Sequence, residues 1–215
     1  MLIKPIKQSA KILVFDLHGV LFTFSIWAGF KDFWQVPNKL LILRAAFTPG
    51  LAWEALKLLF TGAVVEQTVL NIKIKYPKLA GVIPFALKII NNQVPKPEIV
   101  KLLFKLNSQG AKLLIFSNIG EQSIAILKQK YPEIFNLFAG ELVAGASDNY
   151  LSKPDQAAFN KFLQKFRNLG SANNFLLIDD RDKNLQAAQA CGMQVLKFKS
   201  SIQLICELKP LGYQL

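Results

Sequence analysis

Short runs of apolar residues recur along this chain, and each run stops at a polar residue or a turn signal. Runs of this length are too short for a buried helix and are typical of strands that are buried on both faces. We therefore predict strands in the following segments: 12–15, 112–116, 142–144, 175–178 and 194–198.

The segments between these strands carry helical spacing or helix start and stop signals. They predict helices at 98–107, 121–130, 154–167, 184–191 and 201–208. Pro154 would stand at the start of its helix, where a residue without an N–H is well tolerated. Strands that alternate with helices in this way predict an α/β fold with a doubly wound parallel sheet.

The stretch 21–92 differs in character, since it is strongly apolar, contains all three tryptophans and is divided by proline and glycine. These helix-breaking residues predict several short helices. We expect residues 1–20 and 93–215 to form the core, and 21–92 to form a small inserted helical cap. The tryptophans should pack mainly within the cap, although a substrate-facing lid remains an alternative. The apolar segments 40–47 and 51–60 also leave open a cap-mediated dimer or a weak membrane-surface contact.

Three of the predicted strands end in polar residues, namely Asp16, Ser117-Asn118 and Asp179-Asp180. The carboxyl ends of parallel strands meet at one edge of the sheet, where open α/β folds bind their ligands. His18 and Gly19 follow shortly after Asp16, and the glycine permits a tight turn beside a ligand. A carboxylate in this place can act as a nucleophile, as a metal ligand, or as both.

The segment from Asp16 to Val20 resembles the first motif of the haloacid dehalogenase superfamily. Three further segments resemble the later motifs of that family in the same order: Ser117-Asn118, Ser152-Lys153-Pro154 and Asp179-Asp180-Arg181-Asp182-Lys183-Asn184. Four motifs in order are much more specific than any one of them. The resemblance implies a Rossmann-like parallel core with a helical cap between the first two motifs. It is greatest to the branch of sugar-1-phosphate phosphatases and epoxide-hydrolase-linked phosphatase domains.

The resemblance also implies a reaction, the hydrolysis of a small phosphate monoester through an aspartyl-phosphate on Asp16. Ser117 and Asn118 would bind the phosphoryl group, and Lys153 would neutralise charge between the nucleophile and the phosphate. Catalysis of phosphoryl transfer depends mainly on such positioning and charge neutralisation.

Mg²⁺ is the cofactor that this resemblance implies. Asp16, the backbone carbonyl of His18 and Asp180 would hold the ion, with Asp179 as a further acid. Asn184 would fix the acidic loop. The physical reason for a cation is that a carboxylate and a phosphate dianion repel each other.

His18 departs from the family pattern, because the phosphatases of the family carry a second aspartate at this position. That aspartate protonates the leaving group and later activates water, and imidazole has a pKa suited to both tasks. Dehalogenases also lack the second aspartate, but they lack the acidic pair Asp179-Asp180 as well. The pair therefore favours a metal-dependent phosphatase. The alternative is a non-catalytic binding or regulatory protein in which His18 only fills space.

The other candidate residues also have plain structural alternatives. Ser117-Asn118 could cap the next helix, and Asp179-Asp180 could form a turn and a helix cap. Asp16 could be a simple turn residue, and Lys153 could be a solvated loop lysine. Asp155 is expected to be a first-turn charge of its helix.

The chain carries a formal net charge of +12, which favours anionic partners. Its lysines are scattered rather than clustered with aromatic residues, so we expect a phosphorylated small-molecule substrate and no nucleic acid. No apolar run is long enough to span a membrane. The two cysteines have neither metal-site spacing nor a disulfide framework, which predicts a cytoplasmic protein. The sequence leaves the oligomeric state open.

Overall fold

The computed structural model describes residues 12–24, 34, 38–60, 65–84, 87–88 and 92–215. The strands of this described part are β1 (Ile12–Phe15), β2 (Phe22–Phe24), β3 (Gln93–Pro95), β4 (Lys112–Gly120), β5 (Gly140–Ala144), β6 (Phe175–Asp179) and β7 (Gln194–Lys197). Its α-helices are α1 (Lys39–Ala46), α2 (Pro49–Phe60), α3 (Val65–Lys75), α4 (Pro97–Ser108), α5 (Glu121–Lys130), α6 (Pro132–Phe135), α7 (Gln156–Lys165), α8 (Asp182–Ala190) and α9 (Ser201–Leu208). None of these helices is long and apolar enough to cross a membrane.

Five strands form one parallel sheet in the order β5-β4-β1-β6-β7, which confirms the predicted α/β fold. Strand β1 lies at the centre and is buried on both faces. Leu13 and Phe15 belong to the apolar layer that contains residues of α4 and α9. Ile12 and Val14 belong to the opposite layer, with residues of α7 and α8. The uninterrupted apolar run of β1 is therefore explained by helices on both sides of the sheet.

Two local expectations are wrong. Ser117 and Asn118 lie within β4 rather than after it, because the strand continues to pair with β5 beyond an irregularity in register after Phe116. Helix α7 begins at Gln156 and not at Pro154. Its N-cap is Asp155, whose side chain accepts a hydrogen bond from the backbone N–H of Ala157 and so fixes the start of the helix.

Strands β2 and β3 form a separate antiparallel ribbon, in which Phe22 is opposite Pro95 and Phe24 is opposite Gln93. This ribbon brings the two ends of the predicted cap together. Helices α1 to α3 contribute to an apolar cluster of their own, separate from the two layers of the sheet. The division into a core of 1–20 and 93–215 and a cap of 21–92 stays a prediction.

The tryptophans do not follow the expectation that they would pack within the cap. Trp34 is 60% exposed and Trp53 is 59% exposed, so the expectation is wrong for both. Trp27 lies outside the described residues, as do residues 1–11.

Candidate active site

Three carboxylates meet at the carboxyl edge of the parallel sheet. Asp16 directly follows β1, Asp179 is the last residue of β6, and Asp180 comes next. Strands β1 and β6 are direct neighbours, with Phe15 in register with Ile178, so the chain must bring these acids together. One ligand atom from each carboxylate lies within 4.8 Å of the other two. The predicted convergence of the first and fourth motifs is therefore present in the fold.

Lys153 is buried among these acids. Its Nζ lies 2.7 Å from Oδ2 of Asp179 and 3.2 Å from Oδ1 of Asp16, and it donates to the carbonyl of Phe116 at 2.6 Å. Burial lowers the pKa of Lys153, but the two carboxylates outweigh burial and leave the pKa above its ordinary value. Lys153 is therefore a charged, buried lysine, and the alternative of a solvated loop lysine is wrong.

Asn118 holds the backbone on which Lys153 stands. Its side-chain Nδ2 donates to the carbonyl of Lys153 at 2.7 Å, and its Oδ1 accepts from the N–H of Lys153 at 2.8 Å. The buried hydroxyl of Ser117 forms a hydrogen bond with Asp16. The N-cap of helix α5 is Gly120, without a side-chain hydrogen bond, so the alternative of a helix cap is wrong for Ser117 and Asn118.

Asp179 and Asp180 are adjacent in sequence but differ in their bonding. Both oxygens of Asp179 lie 3.0 Å from Nδ2 of the buried Asn184, and Oδ1 also accepts from the N–H of Arg181 at 2.9 Å. In contrast, Oδ1 of Asp180 is buried and has no hydrogen-bond partner among the described residues, with Nε of Arg181 at 3.9 Å. Asp179 is thus a fixed acid, whereas Asp180 keeps an unsatisfied ligand atom.

The charge balance of this cluster suits a cation. Burial raises the pKa of Asp16 to about 6, Lys153 opposes this rise, and Asp179 and Asp180 add to it. Three carboxylates meet here, and Lys153 forms ion pairs with two of them, Asp16 and Asp179. Oxygen-rich carboxylate sites of this kind are the ones that bind Mg²⁺. The unsatisfied oxygen of Asp180 also fits a metal ligand, so the residues present are suited to the implied ion.

His18 follows Asp16 by two residues and lies next to the β2–β3 ribbon. Its Nδ1 is 3.2 Å from Oε1 of Gln93, and its ring packs on Phe24 with the ring centroids 4.2 Å apart. Burial lowers the pKa of His18, although the hydrogen bond to Gln93 opposes this. The backbone carbonyl of Gln93 accepts from the hydroxyl of Tyr131 at 3.2 Å. His18 is therefore held by the ribbon and not by the acidic cluster.

The turn between Asp16 and the ribbon needs a glycine. Gly19 has φ of +88°, and a Cβ at this position would overlap Oδ2 of Asp180. Nζ of Lys96 donates to the carbonyl of Gly19 and lies 4.8 Å from the ring centre of Phe198. The predicted role of Gly19 in a tight turn is thus present, and Lys96 is an additional residue that fixes the turn.

Sequence reasoning missed Gln93, Lys96 and Tyr131. The first two lie in the segment 93–97, at the start of the predicted second part of the core, for which the sequence predicted no strand or helix. Nothing in their local spacing indicates a contact with His18 or Gly19. The one available signal is a pair of polar residues beside two prolines.

The family model for haloacid dehalogenase-like hydrolases matches residues 10–192, which is most of the chain and includes all four motifs. The chain belongs to the haloacid dehalogenase-like hydrolases. A comparison with curated proteins gave no significant match. The predicted superfamily is therefore confirmed, while the phosphatase branch stays a prediction.

Solved structures of haloacid dehalogenase-like hydrolases share this fold at low sequence identity. A dehalogenase structure is 16% identical with a TM-score of 0.64, covering 96% of this chain and 99% of its own. A subfamily IA hydrolase from Geobacter sulfurreducens is 16% identical with a TM-score of 0.61. The match covers 95% of this chain and 97% of the hydrolase. The structure of an L-2-haloacid dehalogenase from Xanthobacter autotrophicus has chloropropionic acid covalently bound. It is 17% identical with a TM-score of 0.58, and the match covers 95% of this chain and 84% of the dehalogenase. At these identities the likeness concerns the fold alone.

Proposed function

We propose that this hydrolase cleaves a small phosphate monoester through an aspartyl-phosphate on Asp16. One observation carries the proposal, namely that Asp16, Asp179 and Asp180 meet at one point while Lys153 pairs with only the first two of them. A cluster with excess negative charge needs a further cation before an anionic substrate can approach it. A phosphate monoester with Mg²⁺ meets this requirement.

The residues of the chain have distinct roles in this reaction. A carboxylate oxygen of Asp16 attacks phosphorus, and the bond from phosphorus to the alcohol oxygen breaks. The alkoxide that leaves takes up a proton from water. Lys153 offsets the charge between Asp16 and the phosphoryl group. Ser117 on β4 would bind that group, while the side chain of Asn118 on the same strand holds the backbone of Lys153. In the second half of the reaction, water attacks the phosphorus of the aspartyl-phosphate and gives a proton to His18. The bond from phosphorus to Asp16 then breaks and releases inorganic phosphate.

Mg²⁺ would be held by Asp16 and Asp180, with the backbone carbonyl of His18 as a further predicted ligand. When bound, the ion would neutralise charge on the phosphoryl oxygens. Asp179 already has its hydrogen bonds from Asn184 and Arg181, and therefore orients the cluster in this proposal. No other cofactor is needed for this reaction.

Two other functions deserve a test. Some similar structures are dehalogenases, and a haloacid would also offer a carbon for attack by Asp16. Asp179 and Asp180 would, however, repel the carboxylate of a haloacid.

A non-catalytic binding protein is favoured by one observation, since Nδ1 of His18 is already engaged by Gln93. The other ring nitrogen of His18, Nε2, can still accept and release a proton.

The test is phosphate release from a panel of phosphate monoesters, with Mg²⁺ and with a chelator. Asp16→Asn should lower the rate at least about 1,000-fold, because it removes the nucleophile. Asp180→Asn should raise the Mg²⁺ concentration needed for half-maximal activity. Asp182→Asn is the matched control, because Asp182 is two residues away with its side chain 69% exposed and pairs with Lys197.

Halide release from 2-chloropropionate is measured in parallel. Metal-dependent phosphate release that Asp16→Asn abolishes would support the proposal. Halide release without metal would replace it with a dehalogenase. If neither product forms but His18→Asp gains phosphatase activity, the scaffold is competent and the natural protein is not a phosphatase.

A further inference from the structure

Gln93 is a buried polar residue for which the proposed reaction has no assigned role. It lies on β3, is only 4% exposed, and places Oε1 3.2 Å from Nδ1 of His18. An amide oxygen accepts hydrogen bonds and cannot donate them. With the amide oxygen facing the ring, Nδ1 carries the hydrogen in this contact, and the other ring nitrogen, Nε2, of a neutral His18 then has a free lone pair.

The surroundings of Gln93 hold this contact in place. Gln93 is opposite Phe24 in the antiparallel ribbon, and Phe24 packs against the ring of His18. The backbone carbonyl of Gln93 also accepts from the hydroxyl of Tyr131 on the core side. The ring of His18 is thus restricted both by a hydrogen bond to one strand and by an aromatic contact to the other.

We propose that Gln93 is a positioning residue that fixes His18 as the Nδ1–H tautomer, with Nε2 as the proton acceptor. The catalytic consequence rests on the proposed function. Water loses a proton to Nε2 as its oxygen bonds to phosphorus, and the phosphorus bond to Asp16 breaks. The products are inorganic phosphate, the free Asp16 carboxylate and a protonated His18.

A histidine needs such a partner for a chemical reason. A carboxylate can accept a proton on either of two equivalent oxygens, so an aspartate has no tautomer to choose. Imidazole has two inequivalent nitrogens, and only the bare one accepts a proton. A buried amide oxygen beside Nδ1 makes the choice, and this explains why a polar side chain is buried at this point of the ribbon.

The experiment uses the fact that His18 is the only histidine of the chain. Correlations between ring protons and ¹⁵N-labelled histidine nitrogens identify the tautomer directly, at a pH above the titration of the ring. Wild type should show predominantly Nδ1–H. Gln93→Met, of similar length with only a weak acceptor, should lower the ratio of Nδ1–H to Nε2–H at least about tenfold. Gln93→Glu retains an acceptor and should preserve Nδ1–H.

The matched control is Thr23→Val, since Thr23 is exposed on the same ribbon and pairs with Val94 rather than with His18. This variant should leave the tautomer unchanged. A wild type with Nε2–H, or a Gln93→Met protein with an unchanged tautomer, would overturn the assignment. Neither result depends on whether a substrate is known.

The catalytic consequence is tested with an ester that the protein hydrolyses. Gln93→Met should slow breakdown of the phosphorylated Asp16 by about tenfold, with formation nearly unchanged, because only the second half uses the base. If Gln93→Met slowed the formation and the breakdown of phosphorylated Asp16 equally, the role of Nε2 would be refuted. If no ester is hydrolysed but wild type shows Nδ1–H, the proposed function fails while the tautomer assignment stands.

Discussion

Asp179 and Gln93 are both buried polar side chains, yet they hold different parts of the active site by different means. Asp179 is the last residue of a central strand and forms an ion pair with Lys153, which in turn contacts Asp16. Gln93 stands on a two-stranded ribbon and holds His18 through one neutral hydrogen bond. The charge-bearing side of the site is therefore part of the core of the sheet, and His18, the proposed base, is attached to the ribbon.

This difference predicts how each side responds to mutation. Breaking a buried ion pair leaves an uncompensated charge in a region of low dielectric, which is costly. Losing one neutral hydrogen bond costs much less. Changes on the charged side should thus affect the free energy of unfolding, whereas changes on the ribbon side should mainly affect proton transfer.

The largest effect is expected for Lys153→Met, which leaves Asp16 and Asp179 buried without their cation. The free energy of unfolding should fall by about 3–5 kcal/mol in urea titrations with a chelator present. The matched control is Lys161→Met, because Lys161 pairs with Asp148 but its side chain is 42% exposed, against 1% for Lys153. The control should lose no more than about 1 kcal/mol. Equal losses in both variants would show that Lys153 is not a core cation.

The second prediction concerns pH and uses the raised pKa of Asp16. Because the pKa of about 6 in the folded protein exceeds the unfolded value of 3.8, the folded state binds the proton more tightly. The contribution of Asp16 to stability is therefore full below about pH 4 and is lost as pH rises through 6, by up to about 3 kcal/mol. Urea titrations of metal-free protein between pH 4.5 and 7.5 measure this loss.

Asp16→Asn is the variant that isolates this contribution, since it cannot titrate. Its free energy of unfolding should depend less steeply on pH over the same range than that of wild type. Mg²⁺ should stabilise wild type more at pH 7.5 than at pH 4.5, because the ion requires the carboxylate form. Identical pH profiles for the two proteins would mean that Asp16 is ionised throughout.

The smallest effect on stability is expected for Gly19→Ala compared with Gly110→Ala. Both glycines have positive φ, so alanine should cost each about 1–2 kcal/mol from backbone strain. Only at Gly19 does the new Cβ overlap a neighbour, Asp180, whereas nothing lies within 4 Å at Gly110. Gly19→Ala should therefore also weaken Mg²⁺ binding, measured by calorimetry, and Gly110→Ala should not. Equal Mg²⁺ affinities would place Asp180 outside the metal site.

The sequence was more informative about the charged side than about the ribbon side. Asp16 and Asp179 each end an apolar strand, and a parallel sheet necessarily brings such ends together. Lys153 has no comparable local signal and was identified only through the family resemblance. Asn118 was expected to bind the phosphoryl group, but its side chain is occupied by the backbone of Lys153.

Gln93 could not be identified because its contacts depend on long-range pairing. Three residues of β2 pair with three residues of β3 that lie about 70 positions later, and so short a ribbon has little apolar periodicity. The start of α7 was misplaced for a different, local reason. Pro154 is a good first helical residue, but the side chain of Asp155 satisfies the helix N-terminus one step later.

The ribbon also determines where this chain can be recombined. Phe24 and Gln93 are direct partners across β2 and β3, so the polypeptide leaves and re-enters at almost the same point. We therefore expect that a segment of different length or composition, joined at these two residues, would meet the core at the same place. Gln93 is one of the two junction residues, so such an exchange must keep it if the contact with His18 is to be retained.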